Sequence, residues 1–460
     1  MRLAIPRRRR ADPDRPIRVA QVCALVDGGL WMVQICAGLR RLGFDVIAVI
    51  GSAEGATAAA LTKAGVPFVA MAQPITSAGR LAALFARVPV LWRLVYVIHG
   101  VALLRTAARM ARGLRRLEVD IVHTHVFTSM LVGRLAGWMA RVPLRVAMIP
   151  GPYHLEAPLL RRLDLATLRL DHRLVAGCAR TDELYAELGV PAGQRRTVGY
   201  GVDPAGFEPD AVDGLSFRRE IGVADDAPLI GQVAFFYPTI SGPASPPWAD
   251  GRGVKGHEDF LAAAALVLER HPAARFVLVG DGWGEAGNQH MDDMRALAGT
   301  LGIAHAVIFT GRRPDVPHVL AALDVSVQCS LSDNYGGTIE SLLMARPTVA
   351  TRAGGMPETV RHDQTGLLVP IRDPDALAEA ILRLVGDPAL GRRLGHAGRE
   401  LMLERHTIQH TIAGVAAVYA EAAPAHRLRR PPLTHGPASP APARDALDLD
   451  ASDVLFGVGT

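Results

Sequence analysis

One recurring pattern leaves few folds open to this chain: a short apolar run, a glycine-rich or polar turn, then a helical pattern. Runs of this kind occur at 17–25 (IRVAQVCAL), 44–50, 144–149, 173–179, 228–236, 275–279, 306–310 and 324–327. Apolar runs without in-and-out alternation suit strands buried on both faces of a parallel sheet. Parallel neighbours in turn need crossover connections, usually helices. The alternation of strand and helix therefore predicts an α/β protein of the doubly wound type. A chain of 460 residues has room for about two domains of ordinary size. The first, 17–205, opens with a strand, the turn Val26-Asp27-Gly28-Gly29, a helix over 30–42 and a second strand. It carries no G-x-G-x-x-G, so the dinucleotide fingerprint is missing. A turn-rich linker at 203–213 leads into the second domain, 206–422, which ends in helices over 375–385 and 388–404.

Composition narrows the function classes. The hydrophobic share of 49% and the 46 glycines fit a core-rich α/β chain. Disorder is expected only at the basic start, 1–16, and in the tail, 423–460, which is rich in Pro, Ala and Arg and then turns acidic. A formal charge of +5, with no aromatic residues interleaved in a basic stripe, argues against a nucleic-acid binder. Cys23, Cys36, Cys178 and Cys329 are far apart and match no metal spacing, so they read as buried thiols in a reducing cytoplasm. Arg7 to Arg10 precede no apolar core, so no signal peptide is expected. The most hydrophobic run, 88–104, is short and broken by Arg93 and His99, and is read as non-spanning.

Residues 80–118 stand apart. No Asp or Glu occurs between Glu54 and Glu118, and Arg105, Arg109, Arg112 and Arg116 step along one helix face. Val101, Leu104, Ala108, Ala111 and Leu114 are expected away from that face. With Trp92 and Tyr96 the segment reads as an interfacial amphipathic helix meeting anionic lipid, peripheral at the inner face of the membrane. A solvated helix laid over the first sheet would show the same two faces.

The residue types that carry chemistry gather in a few places. After the apolar run at 324–327, a polar loop leads to Gly336, Gly337 and Thr338 at a helix start, where free N–H groups make an anion cradle. Asp333 precedes the cradle and Glu340 lies one turn into the helix. Carboxylates bind sugar and ribose hydroxyls, so a cradle flanked by two of them is shaped for a nucleotide-activated sugar. The strand at 119–125 ends in His123 and His125, which point the same way and are expected to look into a cleft. His154 follows the next strand. A zinc reading of the three fails on ligand spacing and supporting carboxylates, so no metal is expected. The loop 237–254 (YPTISGPASPPWADGRGV) is long for a βα connection, which marks a functional segment.

In their order, these pieces resemble a known family. A Gly-Gly loop follows the first strand, His-Thr-His ends another, Lys255-Gly256 opens a helix, Val279 to Gly282 read VGDG, and the Gly-Gly helix leads into ATRAGGMPETVRHDQTGLLVP. The chain from about Arg18 to about Tyr419 is similar to the retaining GT-B glycosyltransferases of the group one class, often called family four. The resemblance implies two Rossmann-like domains facing across a cleft and closed by C-terminal helices. It implies Gly28 and Gly29 near the donor's distal phosphate and the acceptor, and Lys255 on the diphosphate. Gly280 to Gly282 would pass close to the nucleotide, with Thr310 to Arg313, Arg312 among them, near the base. Gly336, Gly337 and Thr338 would offer N–H groups to phosphate, Glu340 would hold the ribose, and Asp333 the transferred sugar. His123, His125 and His154 would face the acceptor, with His154 beside the reacting sugar.

Two departures stand out. The family places seven residues between its two carboxylates, a spacing that falls here on Ser332, whereas Asp333 leaves six. The family's arginine after the first strand of the second domain is missing from Val233-Ala234-Phe235-Phe236, and Arg252 is the candidate replacement. The implied activity is transfer of a sugar from a nucleotide-diphosphate sugar to a lipid-linked or polysaccharide acceptor with retention, without a metal or cofactor. A degenerate module that binds a nucleotide sugar or glycan without turnover, and a sugar-nucleotide epimerase of the same fold, are the alternatives.

Overall fold

The computed structural model describes residues 15–26, 28–71, 92–241, 245–249 and 251–422, with the backbone alone at 92–99. Residues 1–14 of the basic start, 80–91 of the basic segment and the tail 423–460 lie outside the described residues. The apolar runs form two sheets. The first holds β1 (Arg18–Cys23), β2 (Asp45–Ile50), β3 (Phe68–Ala70), β4 (Ile121–His125), β5 (Leu144–Ile149), β6 (Arg173–Ala176) and β7 (Arg195–Thr197). Their order is β3-β2-β1-β4-β5-β6-β7. The second holds β8 (Leu229–Val233), β9 (Arg275–Val279), β10 (Val307–Gly311), β11 (Val325–Gln328), β12 (Thr348–Thr351) and β13 (Leu367–Val369), in the order β10-β9-β8-β11-β12-β13. Every neighbouring pair of the second sheet is parallel. Both are Rossmann-like, doubly wound sheets, as the strand–helix rhythm predicts.

The chain gathers into two compact units. One contains residues 15–147, Leu170–Arg173 and 416–422. In it the helices Trp92–Arg116 and Phe127–Ala140 bury Ala107, Met110, Leu114, Val132 and Ala136 against Ala20, Val22 and Val122 of the sheet. Approach is close because Gly133 faces β4: a Cβ there would stand 2.2 Å from Thr124 Cγ2. The turn between β4 and the second of these helices is strained, since β-branched Val126 holds φ +58°.

The helix Trp92–Arg116 differs from its expected pattern. Ala111 and Leu114 are buried, but Val101 and Leu104 are 42% and 55% exposed, beside Arg105, Arg109, Arg112 and Arg116. Positions 101, 105, 108 and 112 share one face at helical spacing. The buried face runs instead through Ala107, Met110, Ala111 and Leu114. Among the described residues no helix is long and apolar enough to cross a membrane.

The other unit contains Met148–Arg169 and Leu174–Val415, so the residues that follow β5 belong with the second sheet. Phe260, Leu261, Leu377 and Ile381, from the helices His257–Arg270 and Pro374–Gly386, pack with Ile230, Phe276, Val325 and Val349. Phe217, Val319 and Leu320 pack with Leu229 and Val277 in a second cluster. Helix Pro374–Gly386 begins where its pattern says it should: Pro374 takes the first position and Asp373 accepts the Ala376 N–H at 2.9 Å.

In the first unit Arg134 and Asp171 form an ion pair with side chains 0% and 2% exposed. Deleting one partner would strand the other charge away from water, at a cost of about 3–5 kcal/mol. Asp171→Ala should therefore lower the unfolding free energy read from urea titration by an amount in that range, while Asp45→Ala at a partly exposed pair should lower it far less.

Candidate active site

The order of the second sheet reverses between β8 and β11, and ligands of open α/β sheets collect outside the carboxyl ends of strands at such a point. Two loops leave that point. The one after β8 carries Arg252 and Lys255, and the one after β11 carries Asp333, Gly336 and Gly337. Topology alone thus brings together residues from two distant stretches of sequence.

Lys255 Nζ forms an ion pair with Asp333 Oδ2, with the two side chains 17% and 15% exposed. Ser330 Oγ donates to the same carboxylate oxygen at 2.9 Å, and the Asn334 N–H donates to Oδ1 at 2.9 Å. Lys255 Nζ also stands 5.8 Å from the centre of the Tyr237 ring. Burial works against the ammonium, but the carboxylates of Asp333 and Glu340 outweigh it and the Lys255 pKa is raised. Burial also pushes the Glu340 carboxyl up and the Asp333 charge adds to this, while its own backbone N–H and Lys255 pull it back. Among the described residues, Glu340 Oε2 is buried with no hydrogen-bond partner. A buried carboxylate oxygen left open beside a lysine is an acceptor waiting for a donor.

The glycine cradle is narrower than its sequence suggests. The Gly337 N–H donates to Gln328 Oε1 at 3.1 Å and the Thr338 N–H to the Tyr335 carbonyl at 3.2 Å. Thr338 Oγ1 is also engaged, donating to Tyr335 O at 2.6 Å and meeting Thr359 Oγ1 at 2.8 Å. The Gly336 N–H has no partner among the described residues, and Gly336 itself needs to be glycine at φ +57°. The cause is Gln328, whose side chain folds over the helix start from the end of β11.

Arg252 does not stand open either: its guanidinium pairs with Asp259 in the first turn of helix His257–Arg270. Gly280 and Gly282 have close-packing reasons of their own, since a Cβ would meet Ala234 O at 2.0 Å and Asn288 N at 2.1 Å respectively. Arg312 is exposed, and its N–H donates to Asp281 Oδ1 at 2.9 Å.

The histidines are buried rather than facing open space. His154 Nε2 lies 3.1 Å from Asp164 Oδ2 and 2.9 Å from Tyr185 OH, and Tyr185 OH donates to Asp164 at 2.5 Å. In the first unit His123 and His125 point the same way, as predicted, but into the protein. His125 Nε2 donates to Gln21 Oε1 at 2.6 Å, Gln21 Nε2 donates to Tyr419 OH at 2.9 Å, and that hydroxyl meets His123 Nδ1 at 2.6 Å. All four are fully buried, because Tyr419 of the C-terminal helix Ile408–Ala422 covers them. Gly28, at φ +78°, and Gly29 form the turn after β1, and a Cβ on Gly29 would stand 2.9 Å from Thr57 Oγ1.

Of the residues singled out in the sequence, the structure brings together Lys255, Asp333, Gly336 and Glu340. It adds Tyr237, Gln328 and Ser330, which no motif marks. Gln328 ends β11 beside the switch point, and Tyr237 opens the long loop 237–254 that follows β8. Among the described residues, no group of three or more His, Cys, Asp or Glu is placed to hold a metal ion.

Two segments of the chain match known protein families: 28–201 matches the glycosyl transferase 4-like domain, and 250–387 matches the glycosyl transferases group 1. A D-inositol 3-phosphate glycosyltransferase of Acidothermus cellulolyticus is 30% identical over 330 residues, covering 66% of this chain and 67% of that protein. The lipopolysaccharide core biosynthesis glycosyltransferase LpsE of Rhizobium meliloti is 33% identical over 200 residues, 42% of this chain and 56% of that one. Among solved structures, Anabaena HepE in complex with UDP and glucose superposes with a TM-score of 0.68 at 19% identity, covering 88% of this chain and 99% of that one.

Burial lowers His123 to about 3, and burial together with His123 lowers His125 well below its ordinary value. The unfolded chain takes up these protons near pH 6.5, whereas folded His123 does so only near pH 3. Their cost is therefore absent above pH 6.5 and grows as pH falls below it, by about 2 kcal/mol for His123 at pH 5, with His125 acting in the same direction. The thermal midpoint should drop between pH 7 and pH 5, and His123→Gln should flatten that slope in scanning calorimetry.

Proposed function

The chain belongs to the group 1 glycosyltransferases, and we propose that it transfers a sugar from a UDP-linked donor to a hydroxyl of a lipid-linked or polysaccharide precursor, with retention at the anomeric carbon. The enzyme class and the GT-B fold follow from the family. The donor, the acceptor and the stereochemistry are the proposal. The observation that carries it is the cluster at the switch point: a charged lysine, an open buried carboxylate oxygen and an unengaged glycine N–H beside a helix start.

Each group has a task in such a reaction. The diphosphate carries more negative charge than the Asp333 carboxylate, so it can draw the Lys255 ammonium away from its partner. The Gly336 N–H adds a second donor at the positive end of a helix. Glu340 Oε2, now without a partner, accepts from ribose hydroxyls. As the bond from the anomeric carbon to the phosphate oxygen breaks, negative charge grows on the leaving diphosphate, where Lys255 neutralises it. The acceptor oxygen forms its bond on the same face, and its proton passes to the leaving diphosphate. This route asks for positioning and charge stabilisation and for no strong base, which agrees with the buried, neutral rings of His123 and His125.

The UDP choice draws on HepE, bound to UDP and glucose. The lipid-linked acceptor draws on the name of LpsE and on the exposed face of helix Trp92–Arg116, where Val101 and Leu104 stand beside a row of arginines. An apolar edge next to like positive charges suits the headgroup layer of an anionic membrane.

With a panel of UDP- and GDP-sugars, release of nucleoside diphosphate should be seen with a UDP-sugar. Lys255→Ala and Glu340→Ala should each lower kcat/KM by roughly 10²–10³, and release that ignores both would overturn the site. Proton NMR of the product reads the anomeric configuration, and supplying D-inositol 3-phosphate or a lipid extract separates the acceptor classes. In sedimentation with liposomes, binding should need anionic lipid, weaken with salt, and fall at least tenfold in the Arg105→Glu/Arg109→Glu/Arg112→Glu variant. Equal binding to neutral vesicles would refute the membrane contact.

A further inference from the structure

The position that the family's spacing reserves for a carboxylate is Ser332, one residue before Asp333. Asp333 is engaged by Lys255, Ser330 Oγ and the Asn334 N–H. Another carboxylate reaches the vacant place from a different part of the chain. Glu156 closes the short helix Tyr153–Glu156 after β5, within the same compact unit, and its carboxylate lies beside the Ser332 hydroxyl. The two segments are pressed together: a Cβ on Gly151 would stand 3.0 Å from Asn334 N and 3.2 Å from Asp333 C.

Glu156 is held as a site residue would be. Trp248 Nε1, from the long loop that ends in Lys255, donates to Glu156 Oε2 at 3.0 Å. The Trp248 ring meets Tyr153 edge-on at 6.0 Å between centres. Burial pushes the carboxyl up, and the nearby Ser332 side chain and the Trp248 donor, with the more distant Arg180 and His154, pull it back, while Ser332 Oγ itself is buried without a hydrogen-bond partner among the described residues. Among the described residues Glu156 makes no ion pair. A half-buried carboxylate held by one neutral donor is costly if its purpose is structural, since a glutamine would accept from Trp248 equally well.

We propose that Glu156 is a sugar-contacting residue of the donor site, supplying from the 153–156 helix the carboxylate that Ser332 lacks, with Trp248 as its positioning residue. It accepts hydrogen bonds from hydroxyls of the transferred sugar, whereas Lys255 and Glu340 hold the nucleotide. The inference rests on the donor-site reading above.

The test separates sugar from nucleotide. Calorimetric binding of UDP, UDP-glucose and UDP-galactose would be measured for the wild type, Glu156→Gln, Glu156→Gln/Ser332→Glu, Trp248→Phe and Lys255→Ala, with UDP release as the activity. Glu156→Gln should keep the UDP Kd within twofold, lose at least tenfold in kcat/KM, and narrow the preference between the two UDP-sugars. Restoring a carboxylate with Ser332→Glu should recover a large part of that loss, and Trp248→Phe should give an intermediate loss. An equal change for UDP and UDP-sugars, or no change in any variant, would overturn the role of Glu156. Unchanged UDP binding in Lys255→Ala would instead overturn the donor-site reading itself.

Discussion

The ion pair between Lys255 and Asp333 ties together the two loops that leave the switch point of the second sheet. Without it, a lysine from the end of a long Pro- and Gly-rich loop and a carboxylate 78 positions further on would have no common geometry. Its surroundings are built to keep that geometry. Gly256 lets the chain pass Cys329, since a Cβ there would stand 2.2 Å from Cys329 O, and Ser330 and the Asn334 N–H fix the carboxylate. Gly151 and Gly354 press on the backbone of 333–334 from two further segments. The pair keeps the lysine charged and oriented in a place that would otherwise favour the neutral amine, and a more highly charged diphosphate can compete for it.

The departures from the family pattern then have a common physical sense. Moving the carboxylate from 332 to 333 changes which way it points along the loop, and at 333 it meets Lys255. Glu156, from the short helix Tyr153–Glu156 far away in the chain, comes near Ser332 and accepts from Trp248. The arginine absent after β8 is not replaced in an open position by Arg252, whose guanidinium is tied to Asp259. Positive charge at the cluster therefore rests on Lys255.

Polar groups elsewhere serve the fold. His123 and His125 end a strand at the switch point of the first sheet, yet the C-terminal helix places Tyr419 over them and Gln21 links them in a buried network, leaving His123 Nε2 and His125 Nδ1 without partners among the described residues. Burial keeps both rings neutral, so they act as hydrogen-bonding core residues. His154 is likewise enclosed by Asp164 and Tyr185.

Much of this protein is determined by local sequence. Unalternating apolar runs make parallel strands, the intervening helical patterns make crossovers, and Gly336 and Glu340 stand where the β11 loop turns into a helix. These depend on periodicity and chain geometry, which act over a few residues. Tertiary structure decided what depends on which loops meet: that Asp333 spends its carboxylate on Lys255, that Gln328 and Tyr335 take two of the cradle's N–H groups, and that Val101 and Leu104 lie on the exposed side of their helix. It also decided that Trp248 of the long loop donates to Glu156, 92 positions away. Side-chain partnership is set by packing between segments distant in the chain, and no spacing within one segment encodes it.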